Sequence, residues 1–537
     1  MKKILISMMC CVAALSAWAV PARREGRLVM QADGAEVMVY NHGDEVFHWQ
    51  TNQYGEWIEL DENGLYKVVP ALDEEQIQAR RMASPRRPKP QQAYPTNIAP
   101  RGLIILVNFA DTAFITPKSE IDSMINGMHY TREYSYKELS WGQEYTTTVK
   151  SEGSVRQYFQ DVSAGQYNPQ FDVVGPVTIS KPYSYYGRNT SYGDIRPWDM
   201  VKEACQLAYE EHNVDFSLYD NNDDGIVDFV YIYYAGAGES DGGNSNTVWP
   251  HAFSLTDAGT SLTLGDKKID KYACSNEMSS VSGHHDGIGT FCHEFSHVLG
   301  LPDLYQTNGS TGRTLGNWDI MDYGCYNNDG NTPCAYSGYE RFFCGWAIPE
   351  VLVDSAEYTL EELNTTNKFY LISTTDEHNL IGNDPNPTTF YLLENRQQKG
   401  WDMYLSGHGL MLTKINYKYS KWYSNTVNNT ASNQGVDIIE AKANKSTTNK
   451  ASDLFPKGAK SYTGIADHAI TRIKEKDGVI SFTYKENVST AIDEVVAGAE
   501  QVVGIYTLTG KSVPVDAELL HGVYIVHTNK GSHKIVR

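Results

Sequence analysis

The chain has 537 residues and a formal net charge of −21 at pH 7, with 45 Lys and Arg against 66 Asp and Glu. This length is too great for one hydrophobic core and predicts two to four domains. The acidic balance argues against nucleic acid as a partner and is typical of a solvated, soluble surface. It also suits a calcium-binding protein.

Residues 1–19 have the pattern of a secretory signal peptide. Two lysines precede a short apolar run at 4–15, and Ala17-Trp18-Ala19 offers a small-x-small cleavage site. The run is too short to cross a membrane, and we expect no transmembrane segment in the mature chain. The mature protein is therefore expected to begin near Val20 and to be secreted or held at the cell surface.

Residues 20–98 are predicted to contain a small β-rich unit and an exposed linker. Apolar and polar residues alternate up to about residue 82, and the stretch at 84–92 is rich in Pro and basic residues. Two arginine pairs, at 80–81 and 86–87, would suit processing by a trypsin-like or Arg-specific protease.

The central region, residues 99–350, is predicted to be an α/β domain. An apolar strand is expected at 101–109, a helix facing the core at 198–212 and a buried strand at 226–234. This order of elements predicts a twisted sheet flanked by helices.

A candidate calcium loop lies at residues 220–228, which read D-x-N-x-D-G-x-x-D. Alternating carboxylate and carboxamide oxygens, with a glycine for a sharp turn, suit Ca²⁺. The segment is not an EF-hand, because no glutamate stands at the twelfth position, and a polar Asx-rich turn is the alternative. The candidate ligands are the side chains of Asp220, Asn222, Asp224 and Asp228 and the carbonyl of Ile226.

A candidate zinc site lies at residues 293–303, which read H-E-x-x-H-x-x-G-x-x-D. Residues four apart share one face of a helix, so His293 and His297 can bind one ion. Gly300 lets the chain leave the helix by a tight turn, and Asp303 then returns as an oxygen ligand. Three protein ligands are typical of a catalytic zinc, whereas a structural zinc usually has four.

The predicted general base is Glu294, which lies beside the ion and can take a proton from a water there. A polar-faced helix with two incidental histidines is the alternative. Against it, the motif is followed by the segment at 318–324, where metzincins place a methionine turn. Met321 is predicted to form the hydrophobic floor of the site. Tyr323 is predicted to reach the developing oxyanion, with a buried structural tyrosine as the alternative.

The chain resembles the immune inhibitor A family of secreted bacterial zinc metallopeptidases, which are metzincin-like. The resemblance implies a zinc endopeptidase without implying a particular substrate, and an aspartate as third ligand is the variant that this family carries. Glu340 is the alternative third ligand if the site is of the gluzincin kind. The matching segments run in order from about Val20 to about Glu486 and are Pro21-Ala22-Arg23, Trp249-Pro250-His251, residues 272–277, the zinc motif, Glu340-Arg341-Phe342, residues 391–396 and residues 407–410.

The resemblance also implies that residues 20–98 are a propeptide with its linker, acting as the enzyme's own inhibitor. A retained accessory domain is the alternative. No cysteine lies between Val20 and Ala204. A propeptide would therefore have to block the zinc with a carboxylate or a backbone group.

Two further β-rich units are expected after the central region. Residues 351–487 alternate or run apolar between turn residues and predict a β-sandwich-like accessory domain. Residues 488–537 are similar to the C-terminal sorting tails of Bacteroidota proteins exported by the type IX system, which implies contact with secretion machinery. An ordinary accessory β module is the alternative.

The cysteines leave two possibilities open. Six remain after the leader, and an even number in an exported chain permits up to three disulfides. A bond between Cys274 and Cys292 is predicted near the zinc helix, with buried free thiols as the alternative.

Together these features predict a metzincin-like α/β zinc protease with an N-terminal β-rich propeptide and a C-terminal β-sandwich-like domain. The predicted function is a secreted, zinc-dependent endopeptidase that cleaves extracellular proteins, with Ca²⁺ as a second cofactor. The alternative is an inactive, calcium-stabilised surface adhesin, which the intact ligand set and base argue against. A zinc hydrolase that acts on peptidoglycan or glycoprotein is a third possibility.

Overall fold

A computed structural model gives the fold. It describes residues 19–61, 63–83, 99–140, 143–190, 193–280, 282–310, 312–375, 377–485, 502–514, 523–529 and 531–536. The predicted leader up to Trp18 and the linker at 84–98 lie outside these residues. Among the helices described, none is long and apolar enough to cross a membrane.

The N-terminal unit is an antiparallel sheet whose five strands pair in chain order. Trp49 stacks on Trp57 across neighbouring strands, at 5.2 Å between ring centroids, as aromatic cross-strand pairs do. The elements are β1 (Arg27–Met30), β2 (Glu36–Gly43), β3 (His48–Thr51), β4 (Trp57–Leu60), β5 (Tyr66–Val68) and α1 (Glu74–Ala83).

The central region alternates strands and helices. Its elements up to residue 212 are β6 (Arg101–Asn108), α2 (Lys118–Asn126), β7 (Thr131–Ser140), β8 (Gln143–Glu152), α3 (Val155–Val162), β9 (Gln170–Thr178), α4 (Tyr183–Gly187), β10 (Asn189–Thr190), β11 (Gly193–Asp194) and α5 (Pro197–His212). The later ones are β12 (Ile226–Val227), β13 (Val230–Ala237), β14 (His251–Ser254), β15 (Leu262–Leu264), β16 (Lys267–Ile269), β17 (Lys271–Met278), α6 (Gly289–Val298) and α7 (Gly338–Phe343).

Five of these strands form the central sheet, in the order β14-β17-β13-β6-β9. All neighbours pair in parallel except β14, which is an antiparallel edge strand. Both faces are covered, which explains the continuous apolar runs in the inner strands. Leu103 and Ile105 of β6 face the core under α5, whereas Ile104 and Leu106 face the core under α6.

One predicted strand is divided in the structure. The segment expected as a single strand at 226–234 forms β12, which pairs with β16 in a small separate sheet, and then β13 in the central sheet. Between them the Asp228 carboxylate accepts hydrogen bonds from the backbone and side chain of Asn221. The Asp228 backbone N–H donates to the Tyr219 carbonyl at 3.0 Å, outside both sheets.

Two sheets follow the central region, in the orders β18-β20-β21-β22-β23 and β19-β25-β24. They share an apolar core that includes Leu393, Leu412, Ile480 and Phe482, a packing typical of a sandwich. The elements are β18 (Glu350–Val351), β19 (Ala356–Leu360), α8 (Leu363–Thr366), β20 (Tyr370–Ser373), β21 (Thr389–Arg396), β22 (Gly409–Asn416), α9 (Tyr419–Tyr423), β23 (Val436–Ile438), β24 (Ile470–Lys476) and β25 (Val479–Tyr484).

The C-terminal residues form a small four-stranded antiparallel sheet in the order β27-β26-β28-β29. Its core is small and centres on Ile505 and Val526. The strands are β26 (Val502–Thr507), β27 (Ser512–Val513), β28 (Val523–Thr528) and β29 (Gly531–Val536).

The predicted disulfide between Cys274 and Cys292 is wrong, and the alternative of buried free thiols is the one observed. Cys274 lies on β17, with its sulfur 3.4 Å from His251 Nδ1, and Cys292 lies on α6. Burial raises the pKa of both thiols. The six free, buried cysteines are Cys205, Cys274, Cys292, Cys325, Cys334 and Cys344.

Candidate active site

Helix α6 carries the candidate zinc motif and is buried along its whole length. Phe291 stacks on Tyr231 of β13 at 3.8 Å between ring centroids. Phe295 packs edge-on against Phe229 at 5.1 Å. These apolar contacts fix the rotation of the helix, so that the ionisable residues of the motif project away from the sheet.

The side chains of His293, His297 and Asp303 meet at one point. Asp303 Oδ1 lies 3.2 Å from His293 Nε2 and 3.3 Å from His297 Nε2. All three ligand atoms lie within 4.8 Å of one another, and all three residues are buried. Two imidazole nitrogens and one carboxylate oxygen at this spacing form a donor set that suits zinc.

Backbone carbonyls orient both imidazoles. His293 Nδ1 lies 2.7 Å from the carbonyl oxygen of Ile320, and His297 Nδ1 lies 2.8 Å from that of Leu301. These partners favour the tautomer in which Nδ1 carries the proton and Nε2 offers its lone pair toward Asp303, as in metal-binding histidines. The residues present therefore fit a zinc ion.

The third ligand is held by a residue that the sequence analysis missed. Asn425, which follows α9, donates from Nδ2 to Asp303 Oδ2 at 2.5 Å, and its Oδ1 accepts the Asp303 backbone N–H at 2.8 Å. Burial raises the pKa of the Asp303 carboxyl, but the two histidines outweigh it and hold the pKa below its ordinary value. No sequence signal links Asn425 to a motif 122 residues earlier.

The predicted base, Glu294, lies against the N-terminal segment of the chain. Its Oε1 accepts the backbone N–H of Val20 at 2.8 Å in a fully buried contact. Burial raises the pKa of Glu294 well above its ordinary value, the Val20 N–H lowers it, and the charge of Asp303 raises it further.

Both the nitrogen and the oxygen of the Ala19–Val20 peptide group form hydrogen bonds in the site. While its nitrogen donates to Glu294, its oxygen, the Ala19 carbonyl, accepts from the hydroxyl of Tyr305 at 2.6 Å. Tyr305 stands two residues after Asp303, a position that could have drawn attention in the sequence. The hydroxyl thus lies where it can donate to a peptide oxygen next to the base.

Residues 20–23 continue across the central region in contact with its side chains. The Val20 carbonyl accepts from Trp249 Nε1 at 3.1 Å, and the Pro21 carbonyl accepts from the Tyr326 hydroxyl at 2.8 Å. The Arg23 backbone N–H donates to the carbonyl of Ser240 at 2.9 Å.

Three further residues were predicted to belong to the site: Gly300, Met321 and Tyr323. Gly300 adopts φ +97°, which a tight turn out of the helix requires. Met321 is fully buried, and its carbonyl accepts from the backbone N–H of Leu304 at 2.8 Å. The guanidinium of Arg24 lies over the ring of Tyr323, with Cζ 3.5 Å from the ring centroid.

Glu340, the alternative third ligand, is not part of the metal-binding group. Its carboxylate accepts the backbone N–H of Ser337 at 2.7 Å in a capping box that begins α7. The structure therefore brings Asp303 to the histidines and uses Glu340 as a helix cap.

The candidate calcium loop is closed by its own hydrogen bonds and by a lysine. Lys267 Nζ lies 2.7 Å from Asp220 Oδ2. The Asp220 carboxylate also accepts the backbone N–H groups of Asp224 and Gly225. In the part of the chain that the structure describes, the carboxylates of Asp220, Asp224 and Asp228 do not come within 4.8 Å of one another as a group.

Residues 96–348 match the sequence model of the immune inhibitor A peptidase M6 catalytic domain. This region is therefore similar to a metallopeptidase catalytic domain. The chain is 26% identical over 249 residues to the pre-pro-metalloprotease PrtV of Vibrio cholerae. This alignment covers 42% of this chain and 27% of PrtV. It is 24% identical over 316 residues to Immune inhibitor A of Bacillus thuringiensis, which covers 52% of this chain and 44% of that protein. The chain thus spans less than half the length of either relative.

Proposed function

We propose that this protein is a secreted zinc endopeptidase. The observation that carries the proposal is the meeting of His293, His297 and Asp303 beside Glu294, inside a region similar to metallopeptidase catalytic domains. The proposed substrates are extracellular proteins.

The proposed mechanism assigns each residue one task. His293, His297 and Asp303 would hold the zinc, which when bound polarises a carbonyl and lowers the pKa of a nearby water. Glu294 accepts a proton from the attacking water and passes it to the leaving nitrogen. This assignment is supported by the backbone nitrogen that already lies 2.8 Å from Glu294 Oε1.

We assign the stabilisation of the oxyanion to Tyr305, because in the full chain, before the predicted leader is cleaved after Ala19, its hydroxyl donates to the Ala19 carbonyl while Glu294 binds the nitrogen of the same peptide group. Donors placed around a developing oxyanion contribute a large part of catalysis in such sites. Tyr323 is the alternative donor, although its ring lies beneath Arg24. Met321 contributes the apolar floor.

We further propose that residues 20–83 are an inhibitory propeptide. Val20 is packed into the main core together with Phe291 and Met321, and its backbone N–H contacts the base Glu294. The sequence analysis expected a carboxylate or a backbone group to block the zinc itself, and that expectation stays a prediction. Burial and the carboxylates of Asp44 and Asp303 raise the pKa of Glu45, which belongs to the same unit. A substrate could not reach Glu294 while this segment is in place.

Calcium binding at 220–228 remains a secondary proposal. It requires Lys267 to release Asp220 so that the oxygens of Asn222, Asp224, Ile226 and Asp228 can gather round one ion. A melting temperature that Ca²⁺ raises, and that a chelator returns to its starting value, would support it. A Lys267→Ala variant that still shows no calcium response would contradict it.

The C-terminal unit is proposed as a sorting tail that directs the protein to the cell surface or the medium. Deletion of residues 502–537 should then retain the protein inside the producing cell without affecting casein hydrolysis by purified protein. Unchanged export of the deleted form would favour an ordinary accessory β module.

The proposed activity is tested on the full chain, folded with a site-specific protease sequence in place of residues 86–94. This chain is cut, and the N-terminal unit is removed and its absence checked by mass. Casein hydrolysis that a chelator abolishes and Zn²⁺ restores would support the proposal. Stoichiometric zinc without hydrolysis would favour the adhesin alternative.

A further inference from the structure

The guanidinium of Arg23 is buried in an acidic pocket of the central region. Its Nη1 lies 2.7 Å from Asp241 Oδ1, and its Nη2 donates to Asp329 Oδ1. Only 7% of the residue is exposed. Arg23 is three residues after Val20, whose backbone N–H contacts the proposed base Glu294. The same extended segment therefore contacts both the base and the acidic pocket.

The pocket belongs to the central region, and each of its carboxylates has a further hydrogen-bond partner there. The Asp241 carboxylate accepts the backbone N–H of Ser280 at 3.1 Å, and Asp329 accepts the Tyr134 hydroxyl at 3.2 Å. The pKa of Asp286, another buried carboxyl of this region, is raised by burial and by the charges of Asp241 and Asp329. Two distant loops, which carry Asp241 and Asp329, therefore converge on the Arg23 guanidinium.

Removal of the N-terminal unit would leave Asp241 and Asp329 without their guanidinium partner. Burial and the neighbouring acidic groups raise the pKa of Asp241 and of Asp286, because buried like charges oppose one another's ionisation. An enzyme freed of the N-terminal unit would thus offer two neighbouring carboxylates to another cationic side chain.

The position of Val20 indicates which residue of a bound substrate would reach this pocket. Glu294 delivers its proton to the nitrogen of the leaving strand, so a backbone nitrogen on Glu294 marks the first residue after the scissile bond. Arg23 then stands at the fourth residue after that bond. Along this segment, Trp249, Tyr326 and Ser240 bind backbone atoms. These contacts do not depend on which side chains the substrate carries.

We propose that the pocket formed by Asp241 and Asp329 is a substrate subsite for a cationic side chain at the fourth residue after the scissile bond. This inference rests on the proposed peptidase function. Arginine should be preferred over lysine, because its planar fork can donate to Asp241 and Asp329 together. The pocket therefore selects proteins with an arginine downstream of the cut.

The test compares quenched peptides that differ only at this fourth residue, as arginine or as citrulline, which keeps the shape and loses the charge. With the cut and separated chain, the arginine peptide should be cleaved with about tenfold higher kcat/KM, mainly through KM. In Asp241→Asn and Asp329→Asn this ratio should fall toward one. In Asp122→Asn, an exposed aspartate on α2, the ratio should be unchanged.

The outcomes separate this inference from the proposed function. Equal cleavage of both peptides, by an enzyme that hydrolyses casein, would overturn the subsite. No hydrolysis of casein or of either peptide by the zinc-loaded protein would contradict the peptidase itself. A readout without turnover is the binding of Val-Pro-Ala-Arg-Arg to the Glu294→Gln form, which keeps an acceptor for the first nitrogen; binding should weaken about tenfold with citrulline as the fourth residue. The peptide comparison needs only the parent chain, so poor folding of an aspartate variant does not affect it.

Discussion

The backbone nitrogen of Val20 lies 2.8 Å from Glu294 Oε1, although 274 residues separate them in the chain. The same peptide group is bound at its oxygen by Tyr305. In the full chain, the Ala19–Val20 peptide group thus occupies the groups that are proposed to act on a substrate. Cleavage of the predicted leader after Ala19 would leave the amino group of Val20 on Glu294.

Substitution of Tyr305 by Phe removes the hydroxyl that is proposed to donate to the oxyanion. We expect kcat to fall about 10²-fold, with little change in KM or zinc content, because the donor acts mainly in the transition state. Tyr323→Phe is the matched control and should retain most of the activity. The reverse pattern in steady-state assays would assign the oxyanion to Tyr323.

Substitution of Asn425 by Ala should weaken zinc binding, because Asp303 loses the side chain that orients it. Outer partners of metal ligands commonly contribute about 10- to 100-fold in affinity. The measurement is a competition titration with a zinc chelator on the cut and separated chain. Asn429→Ala, which removes a contact to Thr307, is the control. Equal zinc affinity for the parent and Asn425→Ala would show that Asp303 needs no such support.

The ion pair between His48 and Glu239 should make the hold of the N-terminal unit depend on pH. His48 Nε2 lies 3.3 Å from Glu239 Oε2, and its ring stacks on Trp249. Burial lowers the pKa of His48, but Glu239 and Asp194 outweigh it and raise the pKa to about 10. A raised pKa stabilises the docked state below the unfolded value near 6.5, and this contribution is lost as the pH rises through 10.

The affinity of the cut N-terminal unit for the rest of the chain should therefore decline between pH 7 and pH 10. Titration calorimetry at several pH values measures this. His48→Gln should bind more weakly at pH 7 and lose much of the slope. A parent affinity that is constant over this range would contradict the role of the pair.

The zinc motif could be found in the sequence because its geometry is local. Four-residue spacing on a helix brings His293 and His297 together whatever the rest of the fold does. The helix at 198–212 was likewise predicted within one residue of α5 (Pro197–His212), because its apolar positions follow the helical period.

The partners of the motif depend on distant parts of the chain and could not be predicted in this way. Asn425 and Val20 reach the site only through the packing of the C-terminal sheets and of the N-terminal segment. The free thiol of Cys274 has a similar cause. Sequence spacing suggested a bond to Cys292, whereas the side chain of Cys274 faces His251 in the core under α5.

The most direct test of the account is casein hydrolysis by the cut and separated chain beside its Glu294→Ala form, with zinc measured in both. We predict equal zinc and a rate about 10²- to 10⁴-fold lower in the variant, the range expected when a general base is lost. Equal rates in the two proteins would contradict the role of Glu294 and the mechanism built on it.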